Sequence, residues 1–531
     1  MKKWSVIAIL AVAQFVMILD GTVMNVSIST VAKDLGTSIT GMQTAITLFA
    51  LTMAAFMLTG GKLGEIWGHK RAFTIGSMIY GSGSLITAAA PSLGVLLFGW
   101  SLVEGLGAVL VIPAIASLAA ANYSGKDRVA AFSLIGAATG LAAAVGPIIG
   151  GFVTTYLSWR YVFAAETLIM IVVLLVSGRI ADAKVSKGVK LDIPSVVLSA
   201  TGMILVVFGA LQSRSWGWIQ PLGAPEVNGQ AITPLGISVV AYLILLGVLV
   251  LKLFYDRQVR LESENKQPLL KVSMLKIGVL RSGLTVLTVQ YFTVASVFFI
   301  VPVYLQTILG YDALQTGLKL IPLSIGLLIF TLVGSRRSTV MPPRRIVRAG
   351  QLAMAFGALL ILGSINTELK GTMFWLGMFG LGAGFGLLAS QLGNVTMSAV
   401  DKSDTGQVGG LQGTFQNLGQ SFGTAVAGSI FILTLTSGFT AAVQNSQSLT
   451  EQAKTTITQQ AQSGVGIVSQ QQAEQYVLDQ GGTQATAQEI SDLYVSSQLE
   501  SLRTTLAIIF FGLILSLILS AKLPSKMPKI V

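Results

Sequence analysis

Trp4–Ile28 reads WSVIAILAVAQFVMILDGTVMNVSI, an apolar run with a carboxylate, Asp20, set well inside it. About 20 mostly apolar residues are enough for a helix to cross a bilayer, so this stretch predicts a membrane span with an acid where water is scarce. The rest of the chain agrees with the first half of that reading. Of 531 residues, 53% are hydrophobic and 11% charged, and the mean hydropathy is +0.74, which describes a polytopic membrane protein rather than a soluble domain.

Scanning for further spans gives fourteen in all, at approximately 4–29, 42–60, 72–91, 94–120, 131–156, 161–178, 193–212, 234–254, 280–308, 316–335, 349–366, 374–398, 411–436 and 504–522. The first run is too long for a cleaved signal peptide and has no small-residue cleavage site followed by soluble sequence. An even number of crossings puts both ends on one side. Of the 34 Lys and Arg residues, seven (Lys33, Arg160, Arg214, Lys319, Lys370, Lys454 and Arg503) fall on the opposite side, which leaves 27 on the side of the termini. That bias predicts cytoplasmic termini. It also explains the net charge of +12 as a topological signal, and no nucleic-acid partner is expected. With no cysteine and one histidine, thiolate and histidine metal sites and redox chemistry are set aside, and neither a cofactor nor a metal is expected.

Three connections are long. The segment 255–276 is mixed in charge and is expected along the cytoplasmic surface. The outer loop 213–233 holds Trp216 and Trp218, which suit the interface. The largest, 437–503, is rich in Gln, Ser, Thr and Ala, with amphipathic stretches around 449–462 and 484–500; a small folded hairpin or cap is expected there.

Of the 22 acidic residues, three lie well inside the apolar runs: Asp20, Glu104 and Glu166. An ionised carboxylate buried without a cation costs several kcal/mol, roughly, so each is disposed to carry a proton, and intramembrane acids are functional by default. At helical spacing, Met17 and Met24 flank Asp20; Trp100, Ser101, Gly107 and Ala108 flank Glu104; Val162, Phe163, Ile169 and Met170 flank Glu166. Acids in polarizable and aromatic surroundings suit a lipophilic cation. The second half offers neutral groups instead: Gln290, Tyr291, Tyr304, Gln306, Gln391, Asn394, Gln416 and Asn417. These amides either line a binding site or serve as interhelical hydrogen-bond glue. Small residues through 136–151, GAATGLAAAVGPIIGG, permit close helix approach, and Pro147 permits a kink.

Several of these stretches resemble motifs of the major facilitator superfamily, and within it the fourteen-helix drug/proton antiporters. Gly60–Arg71, GGKLGEIWGHKR, is similar to the superfamily signature G-x-L-x-D-x-x-G-R-K/R. Gly64, Glu65 (for the usual Asp), Gly68, Lys70 and Arg71 take its positions, and the resemblance implies a conformational latch at the cytoplasmic helix ends. Leu19–Val26 looks like the first-helix motif L-D-x-T-V-x-N-V. Gly140, Gly146, Pro147, Gly150 and Gly151 resemble the fifth-helix antiporter motif, and Trp159–Phe163 matches the short outer connection after it. Two positions depart from the pattern. Ser101 stands where the fourth helix usually carries an arginine and Glu104 where it carries glutamine, while Glu166 stands where related chains often have asparagine.

The resemblance implies an all-α membrane fold of two six-helix bundles, 1–178 and 277–531, separated by two inserted helices and a linker over 179–276. It implies a monomeric exporter of the bacterial cytoplasmic membrane, not an enzyme, whose partners are lipid, protons and lipophilic compounds. Asp20, Glu104 and Glu166 are the expected proton-coupling acids. Glu104, Glu166, Trp100, Met24 and the second-half tyrosines and amides are the expected substrate contacts. An exporter or symporter of one metabolite, and a receptor or scaffold built on 437–503, are the other readings that the residues leave open.

Overall fold

The computed structural model describes residues 2–523 and 525, apart from 124, 183–189, 223, 228–229, 339, 370, 401–404 and 462–464. Helix dominates, as it must where lipid offers backbone groups no partner. Among the described residues, the one extended pairing is a two-residue antiparallel ladder joining Glu226 with Ala231 and Val227 with Gln230.

Six long helices form the first half: α1 (Lys2–Val26), α2 (Ile39–Trp67), α3 (His69–Ala88), α4 (Leu93–Asn122), α5 (Gly125–Tyr156) and α6 (Arg160–Val176), with a short helical turn at Ile28–Asp34 between the first two. The inserted pair is α7 (Ile193–Trp216) and α8 (Val239–Ser263). Then come α9 (Gly278–Ile308), α10 (Ala313–Arg337), α11 (Pro343–Ser364), α12 (Met373–Met397) and α13 (Thr405–Asn445). Two short helices, α14 (Glu451–Ala461) and α15 (Gln470–Asp479), precede α16 (Gln484–Leu519). The expected cap is therefore helical, and its flanks are extensions of α13 and α16 rather than loop.

Thirteen helices of the described residues are long and apolar enough to cross a membrane. α3 is the expected span that falls short. Gly76, Ser77, Gly81, Ser82, Gly83 and Ser84 dilute its hydropathy, and it packs against α4 and α6.

Helix ends follow local chemistry. Gly68, at φ +93°, stops α2 by donating its N–H to Gly64 O and opens α3 directly afterward. Ser38 caps α2 by accepting from Gly41 N, Asp312 and Gln315 form a capping box on α10, and Asp192 caps α7. The Arg257 guanidinium grips Asp192 through two bonds of 2.7 Å; with the Ser195 hydroxyl it pulls that carboxyl down to about 2.

The halves meet along two seams. α5 packs on α10, where a methyl group built at Gly317 would sit 2.2 Å from Pro147 O and one at Gly151 would sit 2.6 Å from Ala313 O. α2 packs on α13, with Gln43 Nε2 donating to Thr424 O at 2.8 Å and Ser421 Oγ to Thr47 O at 3.2 Å. The glycine run on α5 serves two neighbours at once. Gly146 and Gly150 abut Thr22 and Val23 of α1, whereas Gly140, Pro147 and Gly151 face α10.

α7 touches both α2 and α13. Arg214, in its last turn, is only 8% exposed and donates to Thr40 O, Gln43 Oε1 and Thr44 Oγ1 at 3.1, 2.6 and 2.7 Å. Ser213 shares a 2.7 Å bond with Ser429 of α13. The sequence reading ended this span at 212 and left Arg214 in an outer loop; the helix runs to Trp216 and buries it. Through Gln43 the arginine ties the inserted pair to both halves. Arg214→Met, which keeps the apolar stem and removes three bonds, is expected to cost about 2 kcal/mol, read as a melting temperature several degrees lower in detergent. An unchanged melting temperature would mean that the clamp contributes nothing to holding α7.

Candidate functional site

The three intramembrane acids converge. Asp20 of α1, Glu104 of α4 and Glu166 of α6 are 0%, 0% and 1% exposed, and one oxygen from each lies within 4.8 Å of the others. The site is thus interior to the first half.

Close packing between helices explains the convergence. Gly83 lets α3 and α4 touch: a methyl group there would be 2.6 Å from Glu104 N, and one at Gly107 would be 2.4 Å from Tyr80 N. Leu97–Glu104 is wound as a π-helix, a rare widened turn that recurs at functional sites. It carries Trp100, Ser101 and Glu104. Trp100 stacks on Phe49 at 4.8 Å and 6°, and its Nε1–H donates to Asp20 Oδ1 at 2.8 Å and Oδ2 at 3.0 Å. Ser101, at the arginine position of the family pattern, turns away and donates to Ala45 O of α2 at 2.8 Å.

Glu166 receives one long bond, 3.4 Å, from Ser84 Oγ of α3. Both oxygens of Glu104, Oε1 of Glu166 and the Tyr80 hydroxyl have no hydrogen-bond partner, although Tyr80 and Ser84 face Glu104. Among the described residues no Lys or Arg bonds to any of the three acids. Fully ionised, the triad would hold three uncompensated charges in a dry interior, so its charge has to be offset by protons or by a bound cation. Tyr80 and Ser84 were not singled out from sequence; a tyrosine and a serine on the serine- and glycine-rich α3 carry no pattern that distinguishes them from packing residues.

The remaining candidates spread over other helices. Met24 is buried on α1. Gln306 bridges the halves, donating to Val26 O at 2.7 Å and accepting from Ser29 N at 3.2 Å. Tyr304 donates to Asn366 O at 2.7 Å, Gln391 to Gly334 O at 3.1 Å and Asn417 to Gly413 O at 2.8 Å. Gln290 reaches Phe385 O at 3.4 Å. Tyr291 is half-buried edge-on to Phe385, Gln416 is half-buried and Asn394 is exposed. Most of these amides therefore spend their donors on backbone carbonyls.

In the signature segment, Lys62 pairs with Glu65 at 2.9 Å, while Lys70 donates from Nζ to Gly178 O at 3.2 Å and from its amide to Asp182 at 2.9 Å. Gly64 makes room for the His69 ring, Gly68 forms the turn and Arg71 is exposed. The Lys70 contacts tie the start of α3 to the end of α6, while the Lys62–Glu65 pair lies within α2. At the opposite end of the bundle, Arg160 and Trp159 both donate to Asp34, holding that carboxyl below its usual range.

Comparison with known proteins agrees with this architecture. The chain is 29% identical over 455 residues, 84% of its own length and 75% of the relative's, to the "Probable actinorhodin transporter" of Streptomyces coelicolor. It is 28% identical to the "Puromycin resistance protein pur8" of Streptomyces alboniger, across 81% of this chain and 82% of that one. A bacterial homologue of the human lysosomal transporter Spinster, solved inward-facing and unoccupied, superposes with a TM-score of 0.61 at 12% identity, covering 98% of this chain and 97% of the other; that likeness concerns fold alone. The Major Facilitator Superfamily model matches residues 10–424. The chain belongs to the major facilitator superfamily: it is a membrane transporter of small molecules and not an enzyme.

Proposed function

We propose that this transporter is a proton-coupled multidrug antiporter of the fourteen-helix branch, exporting lipophilic, cationic compounds by alternating access. On this reading α3 is the fourteenth crossing, the bundles are 1–178 and 277–531, and the region 179–276 is inserted between them. The termini lie in the bacterial cytoplasm, in keeping with the lysine and arginine bias, segment 437–503 lies outside, and one copy is sufficient. The relatives' names, an actinorhodin transporter and a puromycin resistance protein, support transport of drug-like compounds.

The observation that carries the reading is the enclosed triad that, among the described residues, no Lys or Arg bonds to. Protons arriving from outside neutralise it and expel a bound cation; their release inside restores affinity. Linkage makes the effect reciprocal, because protonation weakens substrate binding only as much as substrate weakens proton binding. Asp20, held by two bonds from Trp100, is the standing member. Glu104 and Glu166, with three unbonded oxygens between them, are the acids that respond to substrate. Tyr291, Asn394 and Gln416, the second-half candidates that keep exposed surface, supply the facing wall.

The test is proton movement in proteoliposomes with an imposed pH gradient and an internal pH dye. Adding ethidium is expected to evoke proton flux that saturates with dose. Ethidium transport without proton movement would overturn the coupling. A dedicated exporter of one compound is the second reading, favoured because the two relatives named above carry the names of single compounds. No ethidium transport or binding would favour that alternative.

A further inference from the structure

We propose that the triad is also a seat for a small, fully dehydrated cation of sodium's size, which competes there with protons. The inference rests on the reading of Asp20, Glu104 and Glu166 as the coupling site and names a second ion for it.

The geometry supports it in three ways. First, three oxygens no more than 4.8 Å apart leave a central point about 2.8 Å or less from each, and a slight inward shift reaches the 2.3–2.6 Å range of hard, oxygen-bound cations. Second, the wall of this site contains oxygens that nothing else uses. Both oxygens of Glu104 and Oε1 of Glu166 are unpartnered, and so is the hydroxyl of Tyr80, which is 0% exposed and faces Glu104. A buried polar atom without a partner is costly, and a cation at the centre would satisfy these atoms together. Third, Trp100 donates to both oxygens of Asp20, which fixes one corner of the triangle on the stacked Phe49 face before any ion arrives.

The donor set chooses the ion class. All nearby ligands are oxygen, which disfavours zinc and copper. The expectation that metals could be set aside rested on cysteine and histidine and did not weigh carboxylates brought together from three helices. Magnesium demands bonds of 2.0–2.1 Å and retains water, for which the triangle is too wide and too dry. Calcium matches sodium in size, but the Born cost of shedding its shell scales with the square of the charge, so the single charge is favoured in a closed core. Sodium and protons offset the same negative charge, and each therefore lowers affinity for the other.

The test is binding of ²²Na⁺ to the purified full-length protein in a scintillation proximity assay, with choline, potassium and calcium as competitors. At about pH 8 saturable binding near one ion per chain is expected, displaced by unlabelled sodium and by lowering the pH to about 5.5. Glu104→Gln should weaken it about a hundredfold and Tyr80→Phe, which leaves every carboxylate in place, about tenfold. Because Tyr80→Phe removes one oxygen and no charge, it keeps the test informative if the first variant folds poorly. Absence of saturable binding, binding unchanged in Tyr80→Phe, or displacement by calcium but not by unlabelled sodium would each overturn the proposal. Ethidium-evoked proton flux in sodium-free vesicles separates the two readings. Flux without sodium binding removes the sodium seat alone, whereas sodium binding without any proton flux removes proton coupling and leaves the seat.

Discussion

Glu104→Gln is expected to reduce ethidium-evoked proton movement about a hundredfold, the upper end of typical coupling between two sites, while the protein still folds. Glutamine preserves shape and removes the ability to alternate between charged and neutral forms, so it imitates a permanently protonated state. The usual hazard of neutralising a buried acid is the orphan cation left behind, and among the described residues no Lys or Arg bonds to this one. Both Glu104 oxygens are unbonded, so the substitution breaks no hydrogen bond, and it removes one of three mutually repelling carboxylates. The melting temperature should therefore hold or rise while flux is lost. A merely structural Glu104 would give the reverse, a lower melting temperature with flux retained in the folded fraction, and that result would remove the residue from the mechanism.

How much of this was legible in the sequence depends on which force set each feature. Lipid imposes helix length and apolar composition on every exposed span, so the crossings could be read directly, and so could the three acids as exceptions. α3 was read as a span too, although its run of glycines and serines keeps it less apolar than the other crossings. Ideal spacing set Trp100, Ser101 and Gly107 beside Glu104 as one lining. Trp100 does reach the triad, through Asp20, and Gly107 packs on α3 at Tyr80, whereas Ser101, inside the π-turn over Leu97–Glu104, turns away to Ala45 O of α2. Convergence of Asp20, Glu104 and Glu166 on one point depends on tertiary packing through Gly83 and Gly107, which no local pattern encodes. The second-half amides follow the same rule, since whether Gln391 or Asn417 faces a cavity or a backbone carbonyl is decided by the neighbouring helix.

The α5–α10 seam yields the second large effect. Gly317→Leu is expected to lower transport to less than about a tenth while the protein is still made, because the seam would no longer close at the end where α10 begins. A Cβ at Gly317 would lie 2.2 Å from Pro147 O, and backbone cannot yield as a flexible side chain can. Overpacking of this kind costs about 1–3 kcal/mol, and 3 kcal/mol against the closed arrangement changes its ratio to the open one by roughly a hundredfold. Neighbouring contacts give a direct readout. Leu314 N donates to Thr155 Oγ1 at 3.1 Å across the same seam, and the chain has no cysteine, so Thr155→Cys with Leu314→Cys can be bridged by a short bifunctional reagent on a silent background. Bridging should be rapid in the parent and at least about tenfold slower with Gly317→Leu. Gly136→Ala on α5, where a Cβ meets nothing within 4 Å, should leave both transport and bridging unchanged. If Gly317→Leu leaves bridging as fast as in the parent, the tight approach of Pro147 and Gly317 is static packing. Loss of bridging together with transport would identify it as a contact that must form and separate in each cycle, giving Gly140, Pro147 and Gly151 the task of a seal while Gly146 and Gly150 hold α5 to α1.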